Sequence, residues 1–285
     1  MQARNDPGAQ PAAWVSRHVE ADGLRLHYLD YGTADKPVMM CVHGGGAHAH
    51  WFDFVASGFT ADYHVCALDQ RGHGDSQWAE PPSYAYERYA ADLAEVVERL
   101  DLRNFVLVGH SMGGMVSLLY AANHPGRVGK LVIVDTTFRM SEEKIAALRD
   151  VGARQGRTYK SHEDFVASYR LRPEGTTATS DVLRHLASNG AGLHMDGSWR
   201  HKFDRRVYAR RESLNSLPWW NHIKVPALLV KGGLSQRITP EIFAAVRTLC
   251  PQVEFAEVSN SEHHVTLDNP GEFVQKVRSF LAAHP

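Results

Sequence analysis

The segment Gly109-His110-Ser111-Met112-Gly113-Gly114 puts a serine where a short apolar run, Phe105–Val108, gives way to a helical stretch, Met112–His124. A serine hydroxyl is a poor nucleophile until a base takes its proton. A tight strand-to-helix turn exposes that hydroxyl above a helix N-terminus, and it needs small residues because the backbone crowds its neighbours. Gly109 and Gly113 supply them. G-x-S-x-G arises by chance in many chains, so it is the strand–turn–helix setting that gives the string weight. The chemistry it suits is attack on an acyl carbonyl, followed by hydrolysis of the acyl-enzyme. Such a serine needs a histidine base, and the 17 histidines of the chain leave that choice wide. His43, His48 and His50 raise the possibility of a metal site. No carboxylate or thiolate partner is recognised at ligand spacing, so no metal is expected.

The elements that must position Ser111 follow from the apolar runs. Val15–Glu20 and Leu24–Tyr31 flank Ala21-Asp22-Gly23, a hairpin signal. Pro37–Val42, His64–Leu68, Phe105–Val108, Leu131–Val134, Ala227–Val230 and Val253–Val258 are short runs, most of them apolar throughout, as expected of parallel strands covered on both faces. Tyr86–Leu100, Met112–His124, Glu241–Leu249 and Pro270–Ala283 carry helical patterns between or after them. This alternation predicts an α/β fold with a mostly parallel central sheet of about eight strands and helices on both faces.

Residues 136–221 break the alternation: 86 residues without a convincing core strand, carrying helical pieces at Ser141–Val151, Glu163–Tyr169 and Asp181–Leu186. The segment holds 15 Lys/Arg against 10 Asp/Glu, leaving 16 against 22 elsewhere. It is read as a helical cap inserted after the sixth strand, with residues 15–135 and 222–285 as the core and 1–14 as a disordered tail. A second helical layer with no part in binding is the alternative.

With these residues and elements placed, the chain resembles the α/β-hydrolase superfamily from Val15 to the last helix. His43-Gly44-Gly45-Gly46, after the third strand, is similar to the oxyanion loop of that family, and Asp69-Gln70-Arg71-Gly72-His73-Gly74-Asp75-Ser76 to its D-x-R-G-x-G-x-S segment. The resemblance implies Ser111 as nucleophile and the backbone N–H groups of Gly45 and Met112 as oxyanion donors. In the late segment His263-His264-Val265-Thr266-Leu267-Asp268-Asn269-Pro270, the family pattern places the base at His263, with His264 as the competitor. A serine at the elbow separates the chain from haloalkane dehalogenases and epoxide hydrolases of this fold, which use aspartate.

The acid departs from the commonest family pattern. The loop Lys231-Gly232-Gly233-Leu234-Ser235-Gln236-Arg237-Ile238-Thr239-Pro240, where that pattern expects an aspartate, holds no carboxylate. Ser235 there would at most hydrogen-bond near the histidine. A histidine base without an anion loses orders of magnitude in rate. Asp135, 24 residues after Ser111, is the candidate, as in family members with the acid after the sixth strand. Its competing role is a turn former or helix cap with Thr136 and Thr137. The implied branch comprises esterases and acetamidomethylenesuccinate-hydrolase-like enzymes.

In the cap, aromatic residues and arginines, among them Tyr169, Arg170, Arg172, Trp199 and Trp219, are candidate substrate contacts for an apolar group bearing a carboxylate. Solvated arginines over an aromatic cap core are the alternative. The formal net charge of −1 argues against nucleic acid or an anionic membrane as partner, and no apolar run reaches membrane-spanning length. Cys41, Cys66 and Cys250 show no metal or disulfide spacing. Gly44-Gly45-Gly46 lacks dinucleotide spacing, so no cofactor is implied. The expectation is a cytoplasmic monomer or homodimer acting on a small-molecule ester. An amide or C–C bond, or a non-catalytic receptor role, remains open.

Overall fold

The computed structural model of the chain describes residues 10–32, 34–209 and 211–285. Its strands form where apolar residues alternate between two covered faces, because only helices on both sides remove them all from water. In chain order the first elements are β1 (Val15–Ala21), β2 (Leu24–Asp30), β3 (Val38–Val42), a short 3-10 turn (Ala49–Phe52) leading into α1 (Asp53–Ala56), and β4 (His64–Leu68). Then come α2 (Tyr86–Arg99), β5 (Phe105–His110), α3 (Met112–Asn123) and β6 (Val128–Val134). After β6 the chain makes α4 (Glu142–Ala153), α5 (His162–Ser168), α6 (Ser180–Gly190), β7 (Ala191–Leu193), β8 (Trp199–His201), α7 (Arg206–Ala209) and a 3-10 segment (Leu217–His222). It returns with β9 (Ala227–Gly232), α8 (Pro240–Leu249), β10 (Val253–Val258), α9 (Val265–Asp268) and α10 (Pro270–Ala283).

Among the described residues, eight strands form one sheet in the order β1-β2-β4-β3-β5-β6-β9-β10. Strand β2 is antiparallel to both β1 and β4, and the remaining neighbours are parallel. Successive side chains of one strand enter different layers. Phe105, Leu107, Leu131 and Ile133 share a core with α2, α3 and α8, whereas Val106, Val108, Val132 and Val134 share one with α1 and α10. Each such side chain contributes about 1.5–3 kcal/mol on full burial.

The topology decides where chemistry can occur. Strands β3, β5, β6, β9 and β10 are consecutive in the sheet and point the same way, so the loops after them line one edge. The segment between β6 and β9 supplies α4–α7 and a separate two-stranded sheet, β7 with β8, which the sequence reading does not anticipate. Three-residue strands carry too little pattern to be recognised.

Of the tail expected to be disordered, residues 1–9 lie outside the described residues. Ala12 donates its N–H to the Asp53 carbonyl at 2.8 Å, and Trp14 meets His50 edge-on. No helix among the described residues is long and apolar enough to cross a membrane.

The turn into α3 tolerates no side chain at Gly113, where a Cβ would lie 2.2 Å from the Val42 carbonyl oxygen in β3. Gly113→Ala is therefore expected to cost about 1–3 kcal/mol or more, because the obstacle is strand backbone. Urea unfolding with an unchanged m-value checks this, and a midpoint equal to wild type would contradict it.

Candidate active site

Ser111 follows β5 at the N-cap of α3 with φ +53° and ψ −116°, a backbone conformation that non-glycine residues avoid. That strain, of about 1–3 kcal/mol, is held by the surrounding turn. The Ser111 N–H donates to the Val134 carbonyl of β6 at 2.9 Å. At Gly109 a Cβ would lie 2.5 Å from the Gly113 carbonyl. The elbow is thus a consequence of two glycines and one strand pairing.

Residues from three further loops converge on this serine. His263, in the turn between β10 and α9, sets Nε2 3.0 Å from Ser111 Oγ and Nδ1 2.8 Å from Asp135 Oδ2. Asp135 directly follows β6 at φ +40° and has no exposed surface. Ser235, in the loop after β9, donates its hydroxyl to Asp135 Oδ2 at 2.8 Å, and the Gly232 N–H donates to Oδ1 at 3.3 Å. Ser235 therefore serves the carboxylate directly rather than the histidine. His264 faces elsewhere, with Nε2 2.9 Å from the Pro173 carbonyl.

The histidine turn is anchored by Asp268, which accepts from the Glu262 N–H at 2.8 Å, the Thr177 N–H at 2.9 Å and the Thr176 hydroxyl. This ties the histidine turn to the segment between β6 and β9.

The electrostatics suit a neutral base at rest. Burial, then the charges of Arg237 and His264, push the His263 imidazole well below its usual value. Burial raises the Asp135 carboxyl, opposed by the hydrogen bonds from Ser235 and Gly232 and by Arg237, whose Nε is 3.8 Å from Oδ2. Arg237 is held by Thr137, whose hydroxyl accepts from Nη1 at 2.9 Å. A cleft of about 270 Å³ opens beside His263, lined by Lys144, Ser235 and Arg237 as well as by Glu174 and Glu262.

The glycine run after β3 lies against the elbow. A Cβ on Gly44 would be 3.1 Å from Ser111 Cβ, and one on Gly45 would be 3.4 Å from Met112 Sδ and 2.8 Å from the Tyr208 hydroxyl. Met112 opens α3, where the first N–H groups have no intrahelical acceptor. The loop is braced by the segment after β4. His43 Nδ1 donates to the Gly44 carbonyl at 2.7 Å, its Nε2 accepts from the Gln70 N–H at 3.1 Å, and Gln70 Nε2 donates to the His43 carbonyl at 2.7 Å. Asp69 accepts from the Ala49 N–H at 2.7 Å and is 2.7 Å from His27 Nδ1. Gly74 must be glycine, since a Cβ there would lie 2.2 Å from the Asp69 carboxylate.

The candidate substrate residues are not gathered in the same way. Tyr169 is buried against Phe165 and His201, and Trp199 packs against His162. Arg170 is exposed and donates to the Ala167 and Tyr169 carbonyls, Arg172 is exposed, and Trp219 packs against the core under α3. Tyr208, one of the cap aromatics of the sequence reading, stands over Gly45, while Arg211 and Arg237, which that reading passes over, lie against Met112 and near Asp135. Only Arg237 left a trace, as part of the loop that lacks its aspartate. Asp53 was also passed over as a partner for His50: its Oδ2 is 2.8 Å from His50 Nδ1 and 2.6 Å from His185 Nε2, and its Oδ1 accepts from the Tyr31 hydroxyl.

Residues 37–270 match the family model described as alpha/beta hydrolase fold. The chain is an alpha/beta hydrolase. Among its relatives, the sn-1-specific diacylglycerol lipase ABHD11 of Mus musculus is 29% identical over 267 residues, covering 91% of this chain and 85% of the relative. The 2-(acetamidomethylene)succinate hydrolase of Mesorhizobium japonicum is 26% identical over 285 residues, covering 95% and 96%. A crystal structure of E-2-(acetamidomethylene)succinate hydrolase superposes with a TM-score of 0.84 at 24% identity, covering 95% of this chain and 100% of the other.

Within this hydrolase, Arg237 offers a test of the electrostatics. Its positive charge disfavours the imidazolium of His263, so removing it raises the pKa at which the base becomes protonated. Arg237→Gln is expected to move the acid limb of the kcat/KM profile to higher pH. Loss of rate with an unmoved limb would assign Arg237 a purely structural role.

Proposed function

We propose that this hydrolase cleaves a small-molecule carboxylic ester through an acyl-enzyme on Ser111. The observation that carries the reading is His263, whose two ring nitrogens lie 3.0 Å from Ser111 Oγ and 2.8 Å from the buried Asp135 carboxylate. In this account His263 Nε2 takes the serine proton as Oγ attacks the carbonyl carbon, and returns it to the leaving alkoxide. Asp135 holds the Nδ1–H tautomer and stabilises the imidazolium that forms. Water then repeats the cycle on the acyl-enzyme, releasing the acid and restoring Ser111. The backbone N–H groups of Gly45 and Met112 take the oxyanion, a role worth about 3–4 kcal/mol for a donor in related chemistry. Residues 136–221 act as the cap, with Tyr208 closing over the oxyanion loop.

An amide bond is the second reading, favoured by the likeness over 95% of this chain to 2-(acetamidomethylene)succinate hydrolase. The same groups would perform it, with the histidine protonating an amine instead of an alkoxide.

Chromogenic esters of increasing acyl length test the first reading, with Ser111→Ala as the blank. Turnover on some of them is expected to vanish in the blank, and Asp135→Asn is expected to lower kcat by about 10²–10⁴-fold while the fold survives. Wild-type turnover in a folded Asp135→Asn protein would remove Asp135 from the mechanism. No ester turnover, with release of amine from amide substrates, would favour the second reading.

A further inference from the structure

Arg211 is 5% exposed, and among the described residues its Nε and Nη1 have no hydrogen-bond partner. Its Nη2 faces only the Met112 sulfur at 3.1 Å, a weak acceptor. The guanidinium carbon lies 4.8 Å from the centre of the Tyr86 ring and 5.7 Å from that of Tyr208. Arg71, more deeply buried, shows the usual arrangement, paired to Asp92 at 2.5 Å and Asp22 at 2.7 Å. Acids near Arg211 in sequence do not serve it: Asp204 is held by Tyr84 and Arg206, and Glu212 is exposed. Aromatic contact repays only part of the cost of burying an unpaired charge. Such an arrangement is expected where a ligand brings the anion.

The location agrees. Met112 is the residue after Ser111, and the Tyr208 hydroxyl stands over Gly45. The Tyr89 hydroxyl is also buried without a partner among the described residues, and Arg211 is the charged group that acts most strongly on it. Phe203, Tyr86 and Tyr208 wall this corner with aromatic rings.

We infer that Arg211 is the receptor for a carboxylate on the substrate, placed on the oxyanion-loop side of Ser111, with the Tyr89 hydroxyl as a further donor. The inference rests on the serine-hydrolase reading and narrows its substrate to small esters or amides that carry a free carboxylate. A carboxylate oxygen would displace the Met112 sulfur from Nη2 and meet the unpaired Nε or Nη1 in a charge-assisted hydrogen bond. This cation differs from the exposed cap arginines, whose charge water already screens.

Calorimetric binding of monomethyl glutarate and dimethyl glutarate to Ser111→Ala protein tests it without any need for turnover. The monoacid is expected to bind about 10–100-fold more tightly than the diester. Adding Arg211→Met is expected to abolish that preference without lowering the melting temperature, because an unpaired buried charge is replaced by an apolar side chain. Arg211→Lys, the gentler change, is expected to keep part of it. Equal affinity for both esters in the parent, a preference that survives Arg211→Met, or a lowered melting temperature in that variant would each overturn the proposal. Failure of the serine-hydrolase reading would appear separately, as no Ser111-dependent turnover of neutral or anionic esters by the wild-type chain.

Discussion

A carboxylate with no exposed surface must find its solvation inside the protein, and at Asp135 that requirement organises the site. His263, Ser235 and the Gly232 N–H surround it, with Arg237 just outside hydrogen-bond reach. Burial still lifts its pKa against these contacts, and the ring it meets, that of His263, is the one aligned with Ser111. Asp69 makes the contrast. Burial acts on it too, but the hydrogen bond from His27, with the imidazoles of His43 and His48 nearby, holds its carboxyl below the usual range. One buried aspartate braces a loop, while the other faces the histidine beside Ser111.

Sheet order makes this possible. Because β5 and β6 are direct neighbours, Ser111 and Asp135 begin their loops side by side, and β9 and β10 bring Ser235 and His263 next in line. The carboxylate beside the histidine comes from the loop after β6. The β9 loop is then free to carry Ser235 and Arg237, which support the carboxylate instead of replacing it. On the other flank, β3 delivers the glycine loop to the same edge, braced through His43, Gln70 and Asp69.

Much of this was legible in the chain. The Phe105–Val108 and Leu131–Val134 runs predict two-faced strands, and the hairpin at Asp22-Gly23 forms as β1 and β2. The absence of an acid between Lys231 and Pro240 pointed to Asp135, which now lies 2.8 Å from His263 Nδ1. Other features depend on contacts between distant segments and leave no local pattern. Arg211 looks like any basic residue until its surroundings show that no acid among the described residues pairs with it. Asp53 stands only three residues from His50, a local pairing that the sequence reading misses, but its second imidazole, His185, comes from α6, 132 residues on. Strands β7 and β8 are too short to announce themselves, and Trp199 and Trp219 look alike in sequence whether they line a site or fill a core.

The central claim is that the buried Asp135–His263 pair activates Ser111, and the rate of covalent labelling of that serine by an alkyl phosphonate reads it most directly. Intact-mass spectrometry with peptide mapping follows the adduct with no assumption about the natural substrate. The account predicts one adduct per chain, located on Ser111, forming rapidly in the wild-type protein and about 10²-fold or more slowly in folded Asp135→Asn. Labelling at equal rates in both proteins, or an unlabelled Ser111 in folded wild type, would contradict it.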